Sequence, residues 1–467
     1  MGRRLSEAHQ LPRVKGPNWL FEGPTGVAFA RPWFDRWTFR MLAKSLFPLS
    51  RLWAAAMVSD GDVERFREEA QVSRLDSSEW DLARSLMRDT CDALSAKYGA
   101  AEEWESHYFQ GENPDARRLV AVEVARRAAA SNFLGQRFKF RPLLRGREIS
   151  AVRFDPPSLA DMEAVYGDWM DDADCAYPMP SKLPNVEVSH PVQSVKSVVS
   201  WLRFPSPGRD VQDTAWAKII EPEDAKNAPT LLYCHGLGEE TELRNRFLDE
   251  IPPLVAMGVR VIRLEAPWHN RRFVPGLWSG EPFLGRAPGG PIFMFDTHVR
   301  ELGILTHWCR ARYGTPVGIG GLSMGGLTAQ LAAYRANFWP KGMQPDALFL
   351  AAVNEDMWQI SFDGSIGSGA GVGGVVRGAG WTDPDLERLR RLTNPTGSPV
   401  MDPSRIVMKL GLADDVMPYA GGRSLADRWR VPPENVFERN QGHFTVPISM
   451  VRNARAFRRL ADILQRL

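Results

Sequence analysis

The spacing of apolar residues changes character along the chain at about residue 190. Before that point helical periods dominate. From Ala83 the residues Met87, Cys91, Leu94 and Tyr98 recur at steps of three and four, which marks one face of a helix. Asp76 followed by Glu79 has the form of a capping box at its start. A second helical pattern runs from about residue 115 to 133 and stops at Gly135. Residues 150–190, rich in Pro and Asp, read as a connecting segment. Two strand-like pieces follow, "SVKSVVSWLRF" and "DTAWAKIIEP". Short apolar runs then alternate with amphipathic helices, placing strands at 230–234, 259–264, 317–321, 347–353, 405–410 and 435–438. Asp296 is expected to cap a helix that ends at Gly314, and further helices should follow Ser323, Pro418 and Pro447. This alternation predicts an α/β fold, a mostly parallel sheet covered on both faces. Ligands in such sheets bind at the carboxyl ends of the strands. The expected division is a helical N-terminal extension and linker over 1–190 and an α/β domain over 191–467. Two glycine-rich, aromatic stretches, 267–295 and 354–399, fit neither pattern and read as long loops of the kind that form lids or binding segments.

Composition narrows the picture. A chain of 467 residues is long for one compact domain, consistent with a core plus an extension or cap. Its 44% hydrophobic and 24% charged residues are those of an ordinary globular protein. Because 58 basic residues stand against 56 acidic ones, the net charge of +2 argues against a nucleic-acid partner. The four cysteines, Cys91, Cys175, Cys234 and Cys309, are far apart and lack CxxC spacing, which suggests buried thiols and a reducing compartment. The opening "MGRRLSEAHQLPRVKG" has no apolar core of a signal peptide, and no apolar stretch is long enough to span a bilayer. A cytoplasmic location is therefore expected, although "MGRRLS" also fits the M-G-x-x-x-S acylation pattern.

The candidate chemistry centres on "GIGGLSMGGLTAQLAA", residues 318–333. A phosphate-binding P-loop would place Lys and then Ser or Thr after its last glycine. Gly320 and Gly325 have the spacing, but Gly326 and Leu327 occupy those two places. A dinucleotide fingerprint begins with Gly318 and Gly320 but meets Ser323 where its third glycine belongs. Gly321-Leu322-Ser323-Met324-Gly325, by contrast, is G-x-S-x-G between a strand and a helix, the context of a nucleophile elbow. Gly318, Gly320 and Gly326 are left over as packing positions.

A serine hydroxyl is a weak nucleophile at neutral pH and needs a base that a carboxylate orients. In this fold the order is Ser, then Asp or Glu, then His. His443, in "NQGHF", is the one histidine after Ser323 and hence the candidate base. For the carboxylate, "IVMKLGLADDVMP" offers Asp414 and Asp415; the preceding strand and Pro418 point to Asp414 as facing the imidazole. Asp356 and Glu355, after the 347–353 strand, stay open as alternatives. Two backbone N–H groups must also meet the developing oxyanion. Met324, heading a helix, would give one, and Leu237, in "TLLYCHGLGEE", the other; His235 would then hold that loop.

With these residues in place the sequence resembles the α/β-hydrolase superfamily. Four stretches look like the family of α/β-hydrolase domain-containing protein 18: "GVRVIRLEAPWHNRR", "GIGGLSMGGLTAQLAA", "DPSRIVMKLGLADDVMP" and "GGRSLADRW" with "GHF". The resemblance covers about residue 190 to the C-terminus. It implies a Ser-His-Asp acyl-transfer mechanism, usually hydrolysis of an ester, thioester or amide, with the family's aspartate at Asp414 and its histidine at His443. "PWHNRR" departs from the family pattern, which is richer in tyrosine and glycine there.

Three further features bear on substrate and partners. Arg271 and Arg272, after the second core strand, are candidates for clamping a substrate anion or for salt bridges to acidic loop residues, with His269 beside them as a satisfied polar group. In "RPWFDRWTFRMLAKSLFPL", Arg36, Arg40 and Lys44 repeat every four residues beside Trp33, Phe34, Trp37 and Met41. That helix would either lie on an anionic membrane or pack its aromatic face on the core. His298 and His307 are nine apart, not a ligand pair, and no metal or other cofactor is expected. The reading is a serine hydrolase of a small-molecule or lipid-like ester, with peripheral membrane contact open. An acyltransferase with the same triad and a non-catalytic scaffold on the same fold are the alternatives.

Overall fold

The structure, a computed structural model, describes residues 10–11, 26–111, 114–240 and 248–467. The acylation pattern at residues 1–6 lies outside them. Among the described residues the chain builds a ten-stranded sheet. The strands are β1 (Glu187–Val188), β2 (Val192–Ser194), β3 (Ser197–Pro205), β4 (Thr214–Pro222), β5 (Thr230–Cys234), β6 (Arg260–Leu264), β7 (Val317–Leu322), β8 (Ala347–Ala351), β9 (Ile406–Gly411) and β10 (Val436–Arg439). Their order is β1-β3-β4-β6-β5-β7-β8-β9-β10, with β2 also paired to β3. From β6 to β10 every neighbour is parallel, whereas β1, β2, β3 and β4 pair antiparallel. Strands β5 to β9 are buried along their whole length, which is why most of their positions are apolar on both faces rather than alternating. This mostly parallel sheet, flanked by helices and carrying a helical N-terminal region, is the α/β-hydrolase fold.

The six expected core strands fall within one or two residues of β5 to β10. The first strand-like piece is a hairpin instead: β2 and β3 are joined through Lys196 at φ 60°. Two other expectations are corrected. The helix ending at Gly314 starts at Gly289, not at Asp296, which lies buried inside it and accepts hydrogen bonds from Tyr166 and from the Arg209 backbone. Its first seven residues are apolar or small and buried on all sides, so no amphipathic stripe marks them. The stretch 354–399 also holds short helices, including Asp383–Thr393, which Thr382 and Asp385 open with a capping box.

The N-terminal region contributes α1 (Pro32–Met41), α2 (Phe47–Val58), α3 (Ser77–Phe109) and α4 (Ala116–Gly135). Asp76 caps α3 with the expected box. These helices share a hydrophobic core with the sheet: Trp53, Met87 and Phe133 belong to one cluster with Ile262 and Ile319. Phe47 stacks on Trp278 at 5.1 Å, and buried Arg51 pairs with buried Glu281 at 3.0 Å. The opposite cluster joins Leu231, Tyr233 and Phe349 to the C-terminal helix Arg455–Leu464. Helix α1 does not pack its aromatic face inward: Trp33 is 47% and Trp37 55% exposed, while Asp35, at 6%, is its buried residue. No helix of the described residues is long and apolar enough to cross a membrane.

Candidate active site

Strand β7 ends at Leu322, and Met324 opens the next helix, so Ser323 alone makes the turn between them. Its backbone sits at φ 58°, ψ −126°, a conformation L-residues avoid and one that strained functional turns hold. The turn is closed by its glycines. A Cβ on Gly321 would lie 2.5 Å from the Cys234 carbonyl oxygen, and one on Gly325 would lie 2.2 Å from the same atom. Two of the three remaining glycines, Gly320 and Gly326, are also places of close approach. A Cβ on Gly320 would meet Phe349 at 2.6 Å, and one on Gly326 would meet Val353 at 2.4 Å. Strand β7 therefore packs closely on both β5 and β8.

Three side chains far apart in sequence converge at the carboxyl edge of the sheet. The Ser323 Oγ lies 2.9 Å from His443 Nε2, and His443 Nδ1 lies 2.9 Å from Asp414 Oδ2. With Nδ1–H donating to Asp414, Nε2 presents its lone pair to the serine hydroxyl. Asp414 also accepts from the backbone N–H groups of Val416 and Met417, at 3.1 and 2.9 Å, which fixes its carboxylate. The other carboxylates are engaged elsewhere. Asp415 accepts from the Ser365 hydroxyl at 3.2 Å, Glu355 pairs with Arg428 at 2.7 Å, and Asp356 binds Arg390. All three converging side chains are buried, and Ser323 keeps 8% of its surface exposed.

Burial alone would lower the proton affinity of His443. The charge and hydrogen bond of Asp414, with smaller contributions from Asp35 and Asp415, more than offset it, and the imidazole pKa lies above its ordinary value.

Met324 is the first residue of its helix, where an N–H has no intrahelical acceptor. The Leu237 loop lies against the serine: a Cβ on Gly236 would be 3.5 Å from the Ser323 Cβ. Two histidines hold that loop. His235 Nε2 accepts from the Ala266 N–H at 3.1 Å, and His269 Nε2 accepts from the Gly238 N–H at 3.2 Å. His269 Nδ1 in turn donates to the Pro267 carbonyl at 2.8 Å. Burial, helped by His235 nearby, drives the His269 pKa well below its ordinary value and keeps it neutral.

Arg272 and Arg271 divide. The guanidinium of Arg272 is spent on protein partners: Asp213 through two nitrogens at 2.8 and 2.7 Å, Glu301, the Glu265 carbonyl and Ser206. No donor remains for a substrate carboxylate, so Arg272 is an internal strut. Arg271 pairs with Glu265, stacks over Trp104 and Trp216, and lines a cavity that Ser323 does not line.

One residue at this site had no signal in the sequence. Asp35 of α1 reaches the loop that carries His443. Its Oδ1 accepts from the N–H groups of Phe444 and Thr445, at 2.6 and 3.3 Å. Its Oδ2 accepts from the Gly442 N–H at 3.2 Å and the Thr445 hydroxyl at 2.5 Å. The fit admits no side chain at 442, where a Cβ would stand 2.5 Å from the Asp35 carboxyl carbon. Desolvation raises the Asp35 pKa, against the lowering influence of these hydrogen bonds.

No family model and no curated protein sequence matches the chain. Solved structures similar to it include a cold-adapted esterase from an Arctic intertidal metagenomic library, at 15% identity over 59% of this chain and 97% of that one, TM-score 0.37. Acetyl xylan esterase 1 from Thermoanaerobacterium sp. is 15% identical over 64% of this chain and 96% of its own, TM-score 0.39. A hyperthermophilic esterase from the archaeon Pyrobaculum calidifontis is 14% identical over 67% and 91%, TM-score 0.37. The similarity is one of fold.

Proposed function

We propose that this chain is a serine hydrolase that cleaves a carboxylic ester or thioester through an acyl-enzyme on Ser323. The observation that carries the proposal is the unbroken hydrogen-bonded series Ser323, His443, Asp414, with its outer member fixed by backbone donors. His443 removes the hydroxyl proton as the serine oxygen attacks the carbonyl carbon, and Asp414 steadies the imidazolium that forms. The N–H groups of Leu237 and Met324 receive the oxyanion. His443 then returns the proton to the leaving alcohol or thiol. Water, deprotonated by the same imidazole, attacks the acyl-enzyme and frees the carboxylic acid. The aromatic loops and the N-terminal helices around the site favour a bulky or lipid-like acyl group. The narrower kinship with the family of α/β-hydrolase domain-containing protein 18 rests on the four sequence stretches alone.

Labelling with a fluorophosphonate tests the reading. Wild-type protein should be labelled at one residue and Ser323→Ala should not. With a p-nitrophenyl ester panel, Ser323→Ala should lose about 10⁴-fold or more in kcat. Folded wild-type protein that takes no serine-dependent label would end the proposal. Supplying an alcohol or amine acceptor separates hydrolysis from acyl transfer, because a transferase would partition its acyl group to the acceptor.

A further inference from the structure

Away from the serine, helices α3 and α4 and the sheet enclose a cavity of about 90 Å³. None of Ser323, His443, Asp414, Leu237 or Met324 lines it. The strands supply part of its floor. Trp201 pairs with Lys218 across β3 and β4, and Lys218 pairs with Arg263 across β4 and β6, so all three side chains point to one face. The helices supply Lys97, Glu123, Arg126 and Arg127, and the segment after β6 adds Glu265 and Arg271. Six lining residues are cationic, counting Lys97, Arg126, Arg127, Lys218, Arg263 and Arg271, against three glutamates, Glu123, Glu240 and Glu265.

Those glutamates are already taken by arginines. Glu123 receives Arg126 at 2.8 Å and Arg127 at 2.6 Å, Glu240 receives Arg137 at 2.5 Å, and Glu265 receives Arg271. Two donors stay over. Among the described residues the buried Arg271 Nη2 has no hydrogen-bond partner. Lys97 forms no hydrogen bond or ion pair among the described residues; its ammonium rests over the rings of Phe273, Phe133 and Tyr98, at 3.7, 5.0 and 5.5 Å. A cation turned into a largely buried space with no hydrogen-bond acceptor among the described residues is costly, and an anion placed there relieves the cost.

We infer that this cavity binds a small organic carboxylate, its charge between Lys97 and Arg271 and its apolar body against Trp53, Phe133 and Trp201. The size sets the class. A water needs about 10–15 Å³ of such space, so the cavity holds roughly six to nine heavy atoms, an acid the size of hexanoate or benzoate. Burial, aided by the charges of Arg271 and Arg126 and opposed by those of Glu265 and Glu240, lowers the Lys97 pKa to about 7. A bound carboxylate restores its proton. The inference does not depend on the chemistry at Ser323.

Titration calorimetry on the full chain, with benzoate, hexanoate, benzamide and inorganic phosphate as probes, tests it. One carboxylate should bind per chain, benzamide about tenfold or more weaker than benzoate. Lys97→Met should weaken benzoate about tenfold or more, and Lys97→Arg should recover most of it. Ala101→Phe, which fills the cavity from α3 without touching a charge, should abolish binding even if Lys97→Met fails to fold. Ser323→Ala should bind as the wild type does. Benzamide equal to benzoate, phosphate bound in preference to both carboxylates, or benzoate affinity unchanged by Ala101→Phe would overturn the inference.

Discussion

Ser323 holds a backbone conformation that costs about 1–3 kcal/mol for a residue with a Cβ. That cost argues for a trade between stability and activity at one position. Ser323→Gly should raise the unfolding free energy by about 1 kcal/mol in urea titration, whereas Ser323→Ala, which keeps the Cβ, should not; both should be inactive. Asp414→Asn would leave the imidazole in the wrong tautomer and should lower kcat about 10⁴-fold with little change in KM. The pH profile separates the two aspartates near His443. A base with a raised pKa loses activity as pH falls through that pKa, so the acid limb of kcat/KM should lie above the ordinary histidine value of about 6.5. Asp35→Asn removes a charge that supports the imidazolium and turns an amide donor toward N–H groups. It should shift the limb to lower pH and reduce kcat about tenfold. An unmoved limb would make Asp35 a purely structural contact. The convergence of Ser323, His443 and Asp414 was legible because such an arrangement comes with a local pattern or a fixed chain order. Asp35 was not, because its partners lie more than 400 residues away and an aspartate on an amphipathic helix has no distinguishing neighbour.

The elements followed the same logic. Buried parallel strands are largely apolar on both faces, so β5 to β9 were visible within a residue or two. The helix from Gly289 was hidden in its first turns, because Gly, Gly and Pro discourage a helical reading and burial on every side erases periodicity. Helix α1 shows the reverse failure. Its aromatic residues invite an inward face, yet the hydrogen bonds of Asp35 at the His443 loop set its rotation and leave Trp33 and Trp37 outside. Trp37→Ser should therefore shift the thermal midpoint by no more than exposed substitutions do, within about 0.5 kcal/mol, as calorimetry would report. A large loss of stability would mean that the ring is covered in solution.

At the scale of the molecule, the change of period near residue 190 marks a change of architecture, but the packing crosses it. One such tie is Arg51 with Glu281, both buried, joining α2 to the short helix Glu281–Gly285. Arg51→Met strands a buried carboxylate and should cost about 3–5 kcal/mol in denaturant titration, more than Arg51→Met together with Glu281→Gln. Such contacts are invisible in one sequence, since nothing local in either residue names the other. The hold of Asp35 on Gly442 and Thr445 also has a consequence in time. On the ribosome α1 is made some 400 residues before the histidine loop, so its carboxylate waits through that stretch of synthesis for the groups it binds. The loop that carries His443 is therefore fully braced only after that late meeting, and a break between α1 and the sheet would loosen one brace of the imidazole rather than its bond to Asp414.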